Sequence, residues 1–445
     1  MAAWHRRSRD DETRRHAMID FERVADLNGS FVSSLARDME HVTLQLDRSG
    51  QVSADDVVDA LSRFSVAAPS WALGTGGTRF GRFPIGGEPR STEEKIDDVA
   101  ALNALTASNR SISLHVPWDD PTDPDGLREY AADRKIEFDA MNSNTFQDNP
   151  STTGGGALTF KFGSLANSDP AVRNAAIDHN KYVIDLGIRL GSHALTVWLA
   201  DGINHPGQAN HRTQFERVAE GLAEIHDHLP DDWRIYTEHK PFEPAFYATV
   251  NNDWGSSLLL AQAAGPKASC LVDLGHHLPN TNIEHVVSRL AMLDRLGGFH
   301  FNDSKYGDDD LTAGSIQPFQ LFLIFCELIQ AGGGRLPPLA YLIDQSHNIK
   351  DPLEDLIQST EAVSIAYAQA LIVDWDTLRE SQDRDDAALA QETLQSAFRT
   401  DVRPMVAEAR RRAGGAIAPL WTYRALAYRA ALTDDRGSTS TATGL

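Results

Sequence analysis

Acidic residues and histidines recur where short apolar runs of the sequence end. Four of them close successive runs: Glu238, Asp273, His300 and Asp344. In a strand, side chains alternate between faces, so Glu238 shares a face with Lys240 whereas His239 points away. Three carboxylates gathered around one axis repel each other unless a divalent cation neutralises them. The pattern therefore predicts a metal site, whose oxygen-rich ligands favour Mn, Mg or Co over a structural zinc held by thiolates.

A second set of metal-ligand side chains lies close to the first along the chain. His276 comes three residues after Asp273. Asp308 and Asp310 form an Asp-x-Asp pair on the loop after the next run. Each residue alone has an ordinary explanation, as a core histidine or as part of a solvated turn. Charged groups at five consecutive ends of apolar runs, however, are energetically unfavourable unless they bind something that compensates their charge. We therefore predict a second, looser cation site that shares Glu238, Asp273 or a water with the first.

The runs that carry these residues belong to a set of eight predicted parallel strands. They are residues 66–74, 111–118, 136–142, 194–199, 233–240, 269–274, 298–302 and 339–345. Helical patterns separate them, as in 91–105, where Ser91-x-x-Glu94 is a capping box. Eight strands alternating with helices are typical of the (β/α)8 TIM barrel, an α/β fold whose active sites lie at the carboxyl ends of the strands. A doubly wound open sheet is the alternative, although no Gly-x-Gly-x-x-Gly follows the first strand.

The predicted barrel lies between two helical regions. We predict an N-terminal helical segment over residues 1–66, the catalytic barrel over 67–350 and a C-terminal helical extension over 351–432. The extension packs either on its own barrel or on another subunit, and the sequence leaves both open. Residues 433–445 are small and polar, so we predict a disordered tail.

Composition narrows the classes of partner. The 63 acidic residues outnumber the 41 basic ones and give a formal charge of -22, which disfavours a nucleic-acid partner because phosphates require clustered Lys and Arg. The strongest apolar run, 319–329, is too short to cross a membrane, and no secretory signal is visible at the amino terminus. Cys270 and Cys326 lie in apolar surroundings, which indicates buried free thiols. We expect a soluble, cytoplasmic protein with no membrane partner.

Tryptophans also lie at the predicted strand ends. Trp71, Trp118 and Trp198 are core residues by default. At strand ends they equally suit an apolar wall against the faces of a sugar.

Several long motifs surround these residues. They include Leu114-His115-Val116-Pro117-Trp118-Asp119, Phe138-Asp139-Ala140-Met141-Asn142-Ser143-Asn144-Thr145-Phe146, Glu238-His239-Lys240, Val272-Asp273-Leu274-Gly275-His276-His277 and Phe299-His300-Phe301-Asn302-Asp303-Ser304. Over nearly the whole chain, the sequence resembles the broad-specificity bacterial branch of the L-rhamnose isomerases, a xylose-isomerase-like group. The resemblance implies a homotetramer of barrels that binds two divalent cations per subunit, usually Mn, and interconverts an aldose and a ketose.

The same resemblance implies a role for each site residue. The structural-metal ligands are Glu238, Asp273, His300 and Asp344, and the catalytic-metal site is completed by His276, Asp308 and Asp310. Lys240 and His115 match polar substrate contacts and, with Glu238 and Asp344, form the expected catalytic set. The sugar-facing walls are Trp71, Trp118, Phe146 and Trp198, and Phe80 is the aromatic residue supplied to a neighbouring subunit's site. Residues 152–157 and 331–338 differ in length from the family pattern.

The expected reaction interconverts L-rhamnose and L-rhamnulose by a metal-assisted 1,2-hydride shift. D-allose (to D-psicose), L-mannose and L-lyxose are expected as further substrates. The mechanistic alternative is an ene-diol route in which Glu238 or Asp344 is a carboxylate base. A metal-dependent phosphodiesterase is also built from histidines and acids at barrel ends, but the charge of -22 argues against it. A non-catalytic sugar-binding barrel is the remaining interpretation.

Overall fold

A ring of parallel strands forms the centre of the protein. The computed structural model describes residue 19 and residues 21–47, 52–74, 83–241, 247–345 and 349–438. The strands are β1 (Ala68–Pro69), β2 (Ser111–Ser113 and His115–Val116), β3 (Glu137–Phe138 and Met141–Ser143), β4 (Ala194–Trp198), β5 (Arg234–Glu238), β6 (Ala268–Asp273), β7 (Leu296–Phe301) and β8 (Ala340–Ile343). Each lies within or overlaps one of the eight predicted runs.

The ring is closed, which confirms the TIM barrel and shows that the open-sheet alternative is wrong. Neighbouring strands pair in parallel from β1 through β8. The first and last strands meet at Ala67, whose amide donates to Tyr341 O at 2.8 Å and whose carbonyl accepts from Ile343 N at 3.1 Å. Because an open sheet has two unpaired edges, this pairing excludes it.

Helices cover the outside of the barrel, one after each strand. They are α4 (Thr92–Thr106), α5 (Pro124–Asp133), α6 (Pro170–Leu190), α7 (His211–His228), α8 (Trp254–Ala264), α9 (Ile283–Met292), α10 (Pro318–Ala331) and α11 (Pro352–Leu371), and they follow α1 (Phe21–Asn28), α2 (Val32–Asp47) and α3 (Ala54–Arg63) of the N-terminal segment. Ser91 accepts from Glu94 N at the start of α4, as the capping box predicts. The apolar run 319–329 lies in α10, a buried core helix. Within the described ranges no single helix has the length and apolar composition to cross a membrane, and α11 passes that test only together with the next helix across a 64° bend.

The C-terminal helices pack on the protein's own barrel and N-terminal segment. They are α12 (Trp375–Asp383), α13 (Ala387–Arg399), α14 (Arg403–Arg412), α15 (Pro419–Ala425) and α16 (Tyr428–Arg436). Asn28, at the end of α1, donates to Gly415 O at 2.9 Å and accepts from Ile417 N at 2.8 Å. The N-terminal segment also packs on the barrel. In the core between them, the ring of Phe64 contacts those of Phe325, Tyr341 and Tyr367. Fully burying a large apolar side chain contributes roughly 1.5–3 kcal/mol. Buried Phe64 therefore helps to hold the N-terminal segment on the barrel.

Two element boundaries differ from those predicted. The helix α11 follows β8 and packs between α10 and α4, so it is the eighth helix of the barrel rather than the start of an extension at 351. The disordered tail predicted from Thr433 is wrong for residues 433–436, because α16 continues to Arg436. Arg436 is almost fully buried and forms an ion pair at 2.9 Å with Asp98 of α4, which fixes the end of the helix. Residues 439–445 lie outside the described residues.

Candidate metal centre and sugar site

The ends of β5 to β8 bring four predicted ligands together at one face of the barrel. Each of Glu238, Asp273, His300 and Asp344 offers one ligand atom, and these atoms all lie within 4.8 Å of one another. We call these four residues the ligand cluster. Parallel register produces it: Asp273 pairs with His300 across β6 and β7, and Asp344 N donates to Phe301 O just beyond β8. Asp344 is half-buried and the other three are buried.

His300 lies at the centre of the cluster. Its Nδ1 atom is 3.2 Å from Asp344 Oδ2, 3.3 Å from Glu238 Oε1 and 3.7 Å from Asp273 Oδ2. Burial, reinforced by the charges of Asp344 and Glu238, raises the pKa of Asp273 to about 6, although the histidines oppose that shift. Burial alone would also raise the pKa of Glu238, but His300 and His276 outweigh it and lower that pKa. Three carboxylates, two of them buried, and an imidazole around one point fit a divalent cation such as Mn, Co or Mg.

Neighbouring groups hold one oxygen of two cluster carboxylates and leave the other facing His300. Asp273 Oδ1 accepts from Asn302 Nδ2 at 2.9 Å and from Gly275 N at 2.7 Å. Asp344 Oδ1 accepts from the indole Nε1 of Trp71 at 2.8 Å. Such contacts fix the orientation of a metal ligand. These contacts were not predicted from the sequence, although strand alternation does place Asn302 on the face of His300.

The second predicted set lies against the first. His276 Nδ1 is 3.1 Å from Glu238 Oε1, and its Nε2 is 3.2 Å from Asp308 Oδ1. Burial lowers the pKa of His276, but Asp273 and Glu238 outweigh it and raise that pKa. Lys240 is buried and forms an ion pair with Asp308. Asp310 is half-buried on the same loop, outside the four-residue cluster.

The loop that carries both aspartates has a specific backbone conformation. Asp308 and Asp310 have φ values of 51° and 48°, in the left-handed region that Asp tolerates better than most residues. Asp308 N donates to Gly275 O at 3.0 Å, and Asp303 exchanges two backbone hydrogen bonds with Leu311. These bonds place the Asp308 carboxylate next to His276.

The predicted sugar-facing residues form a continuous set of rings beside the cluster. We call Trp71, His115, Trp118, Phe146 and Trp198 the aromatic wall. The His115 ring stacks on Trp118 at 4.0 Å between centroids, and Phe146 lies 4.5 Å from Trp198 in edge contact. Lys240 Nζ lies 5.0 Å from the centre of the Trp198 ring. Phe80 lies outside the described residues, so its role stays a prediction.

His115 and Trp198 give the aromatic wall its buried polar atoms. Burial lowers the pKa of His115 to about 4 despite the nearby charges of Asp119 and Asp344, so its ring is neutral at neutral pH. Neither His115 Nδ1 nor Trp198 Nε1 has a hydrogen-bond partner within the part of the chain that the structure describes. These atoms can therefore bind hydroxyl groups of a ligand. His239 points away from the cluster, as predicted, and its ring meets that of His277 at 4.8 Å.

Comparison with known proteins identifies similar chains. A family model described as "Xylose isomerase-like TIM barrel" matches residues 101–338. The chain is 52% identical to a probable sugar isomerase of Rhizobium meliloti (strain 1021) over 413 residues, which cover 92% of this chain and 94% of that protein. It is 49% identical to a probable sugar isomerase of Mesorhizobium japonicum over 430 residues, with coverages of 96% and 98%. The solved structure of an L-ribulose 3-epimerase is similar in fold, with a TM-score of 0.52 at 14% identity over 73% of this chain and 98% of that one.

We expect Asp273→Asn to weaken Mn²⁺ binding by more than about 100-fold, because it removes a ligand charge and even residues behind the ligands are worth about 10- to 100-fold. Calorimetric titration of chelator-treated protein measures the affinity. Asp201→Asn is the matched control, since Asp201 is comparably buried and its carboxylate accepts from Ser164 and Ala166. Equal Mn²⁺ affinity in the two variants would contradict the assignment of the cluster.

Proposed function

Because the chain belongs to the xylose isomerase-like TIM barrel family, we propose that it is a sugar isomerase, and specifically an aldose–ketose isomerase that interconverts L-rhamnose and L-rhamnulose. The observation that carries this proposal is the ligand cluster of Glu238, Asp273, His300 and Asp344, together with buried Lys240 and the adjoining aromatic wall. A charged, oxygen-rich centre beside apolar rings suits a molecule with adjacent oxygens and apolar C–H faces.

We propose that each subunit binds two divalent cations, with Mn favoured over Co or Mg. The ligand cluster would hold one, and His276, Asp308 and Asp310 would complete the site of the other. When bound, such cations polarise the carbonyl and hydroxyl oxygens of an open-chain sugar as Lewis acids. Lys240, kept beside Asp308 and Trp198, orients O1 and neutralises charge that develops there.

The aromatic wall has a separate task in this proposal. Its rings cover the C–H faces of the sugar and exclude bulk water, which favours direct hydride transfer over exchange with solvent. His115 Nδ1 and Trp198 Nε1 bind sugar hydroxyl groups and so fix the C1–C2 bond relative to Lys240. Each of these atoms is buried and therefore gains a partner when the sugar binds.

The contacts of the carboxylates support the hydride shift over the ene-diol route. Glu238 Oε1 lies 3.1 Å from His276 Nδ1 and 3.3 Å from His300 Nδ1, so its carboxylate is committed to the ligand cluster. Asp344 accepts from Trp71 through one oxygen and faces His300 through the other. Both candidates for the base are therefore already engaged.

We expect the isomerisation, run in deuterated water, to leave the transferred position without deuterium. A hydride that moves directly from C2 to C1 never meets solvent, whereas a proton on a carboxylate base exchanges with it. Proton NMR of the isolated product measures the incorporation. Substantial deuterium at that position would favour Glu238 or Asp344 as a base and overturn the hydride shift.

A hydrophobic wall discriminates weakly among aldoses, so we expect broad specificity. Replacing a methyl group by a hydroxymethyl group against such a wall changes kcat/KM by about 10- to 200-fold. L-rhamnose is therefore expected to lead a series in which L-mannose, L-lyxose and D-allose are also converted. Turnover measured on this panel should disappear after chelation and return with Mn²⁺, and Asp308→Ala should abolish it. Epimerisation of ketoses without aldose formation would instead assign a 3-epimerase.

We also propose that the protein is a homotetramer in the cytoplasm. Cys270 and Cys326 are buried and unpaired, which suits a reducing compartment. Large apolar side chains are exposed on the loops around the barrel mouth: Phe83, Phe162, Tyr247, Leu278, Tyr306 and Ile349. The exposed apolar residues on this face are the basis for proposing a subunit contact there.

Sedimentation of the purified chain should give four times the 48.8 kDa of one subunit. Placing charge in the proposed contact, as in Ile349→Asp with Tyr306→Asp, should produce smaller species. Met292→Asp is the control, because Met292 is equally exposed but ends α9 at the opposite face of the barrel. A wild-type monomer would refute the tetramer and leave the isomerase proposal intact.

A further inference from the structure

Asp119 is a buried carboxylate to which the proposed reaction gives no role. It lies in the turn after β2 and is 1% exposed. Its Oδ2 atom accepts from His115 N at 2.9 Å and from the Ser70 hydroxyl, while Oδ1 forms an ion pair with Lys95 at 2.5 Å. Asp119 N also donates to His115 O at 2.9 Å. One side chain thus connects the end of β1, the end of β2 and the first turn of α4.

Two of these connections lead directly into the site. Ser70 precedes Trp71 in a single helical turn, and the Trp71 indole donates to Asp344 of the ligand cluster. The turn that Asp119 closes contains both His115 and Trp118, whose rings stack on each other. Asp119 touches no cluster residue itself, yet it fixes the backbone from which three wall residues extend.

The charge on Asp119 has a specific geometric use. Donors approach from three elements, and together they occupy both carboxylate oxygens. An asparagine offers one acceptor oxygen and one NH2 group, so it would turn a donor toward Lys95 or toward Ser70 and His115. Only the ionised carboxylate satisfies all three donors at once.

We propose that Asp119, with Lys95 and Ser70, is a positioning residue that sets the His115–Trp118 stack and the Trp71 indole that orients Asp344. The proposal rests on the proposed isomerase function for its kinetic consequences. Its structural consequences can be measured whether or not the chain turns over an aldose.

Three variants test the kinetic role. Asp119→Asn should lower kcat by about 10- to 100-fold, because a misplacement of about 1 Å has effects of that size. KM should change much less, since the wall residues themselves remain. Lys95→Met in the same chain removes the unmatched cation and should restore most of kcat, a coupling expected only of groups in contact. Ser70→Ala removes only the link to Trp71 and should lower kcat more mildly.

A buried ion pair elsewhere provides the control. Arg410 is 7% exposed and pairs with Glu361 in the C-terminal region. Arg410→Met should lower the melting temperature and leave kcat and KM unchanged. If Asp119→Asn and Ser70→Ala also lower only the melting temperature, Asp119 is merely structural and the proposal is overturned.

Near-ultraviolet circular dichroism separates this proposal from the function. Trp71 and Trp118 contribute to that spectrum through their fixed surroundings. Asp119→Asn or Ser70→Ala should alter the tryptophan bands, and Arg410→Met should not. If the wild type converts no aldose, the isomerase proposal fails, and an altered spectrum still supports the positioning role. An unaltered spectrum in both Asp119→Asn and Ser70→Ala would refute it.

Discussion

Mutual repulsion of buried carboxylates is the constraint on which this structure depends. Glu238, Asp273 and Asp344 converge on His300 at distances of 3.2 to 3.7 Å. Bringing like charges together away from water is unfavourable unless a positive group lies between them. The barrel nevertheless brings these carboxylates together because its parallel strands end at one face, and backbone pairing fixes the register of β6, β7 and β8 at those ends.

The groups behind the cluster determine which oxygens face the centre. Asn302 and Gly275 occupy one oxygen of Asp273, and Trp71 occupies one oxygen of Asp344. A carboxylate held in this way cannot rotate away from its neighbours to relieve repulsion. The neutral donors Asn302, Gly275 and Trp71 therefore keep the cluster carboxylates in place. Asp119 lies one step further from the cluster, because it bonds to Ser70, which precedes Trp71.

Sequence periodicity was sufficient to predict the barrel and the cluster, because both follow from local rules. Strand alternation separates Glu238 from His239, and repeated βα units predict a closed ring. The bond between Trp71 and Asp344 joins residues 273 positions apart, so no local pattern reveals it. The end of α16 likewise depends on an ion pair between residues far apart in the chain, Arg436 and Asp98. The small, polar composition of the tail gives no sign of this pair.

Under the proposed function the cluster and the wall have different tasks, so we expect that affinity for a sugar and selectivity among sugars need not change together. In the proposed isomerase, the cluster and Lys240 address adjacent oxygens that every aldose carries, so under this proposal they do not distinguish one sugar from another. Selectivity has to come from the wall, where only His115 Nδ1 and Trp198 Nε1 are buried polar atoms without a partner among the described residues. Two polar atoms on an otherwise apolar surface can orient a sugar, but they can form hydrogen bonds with only a few of its hydroxyl groups. Sharper selectivity would require further buried hydrogen-bonding groups, because leaving such a group unpaired is what strongly penalises the wrong substrate.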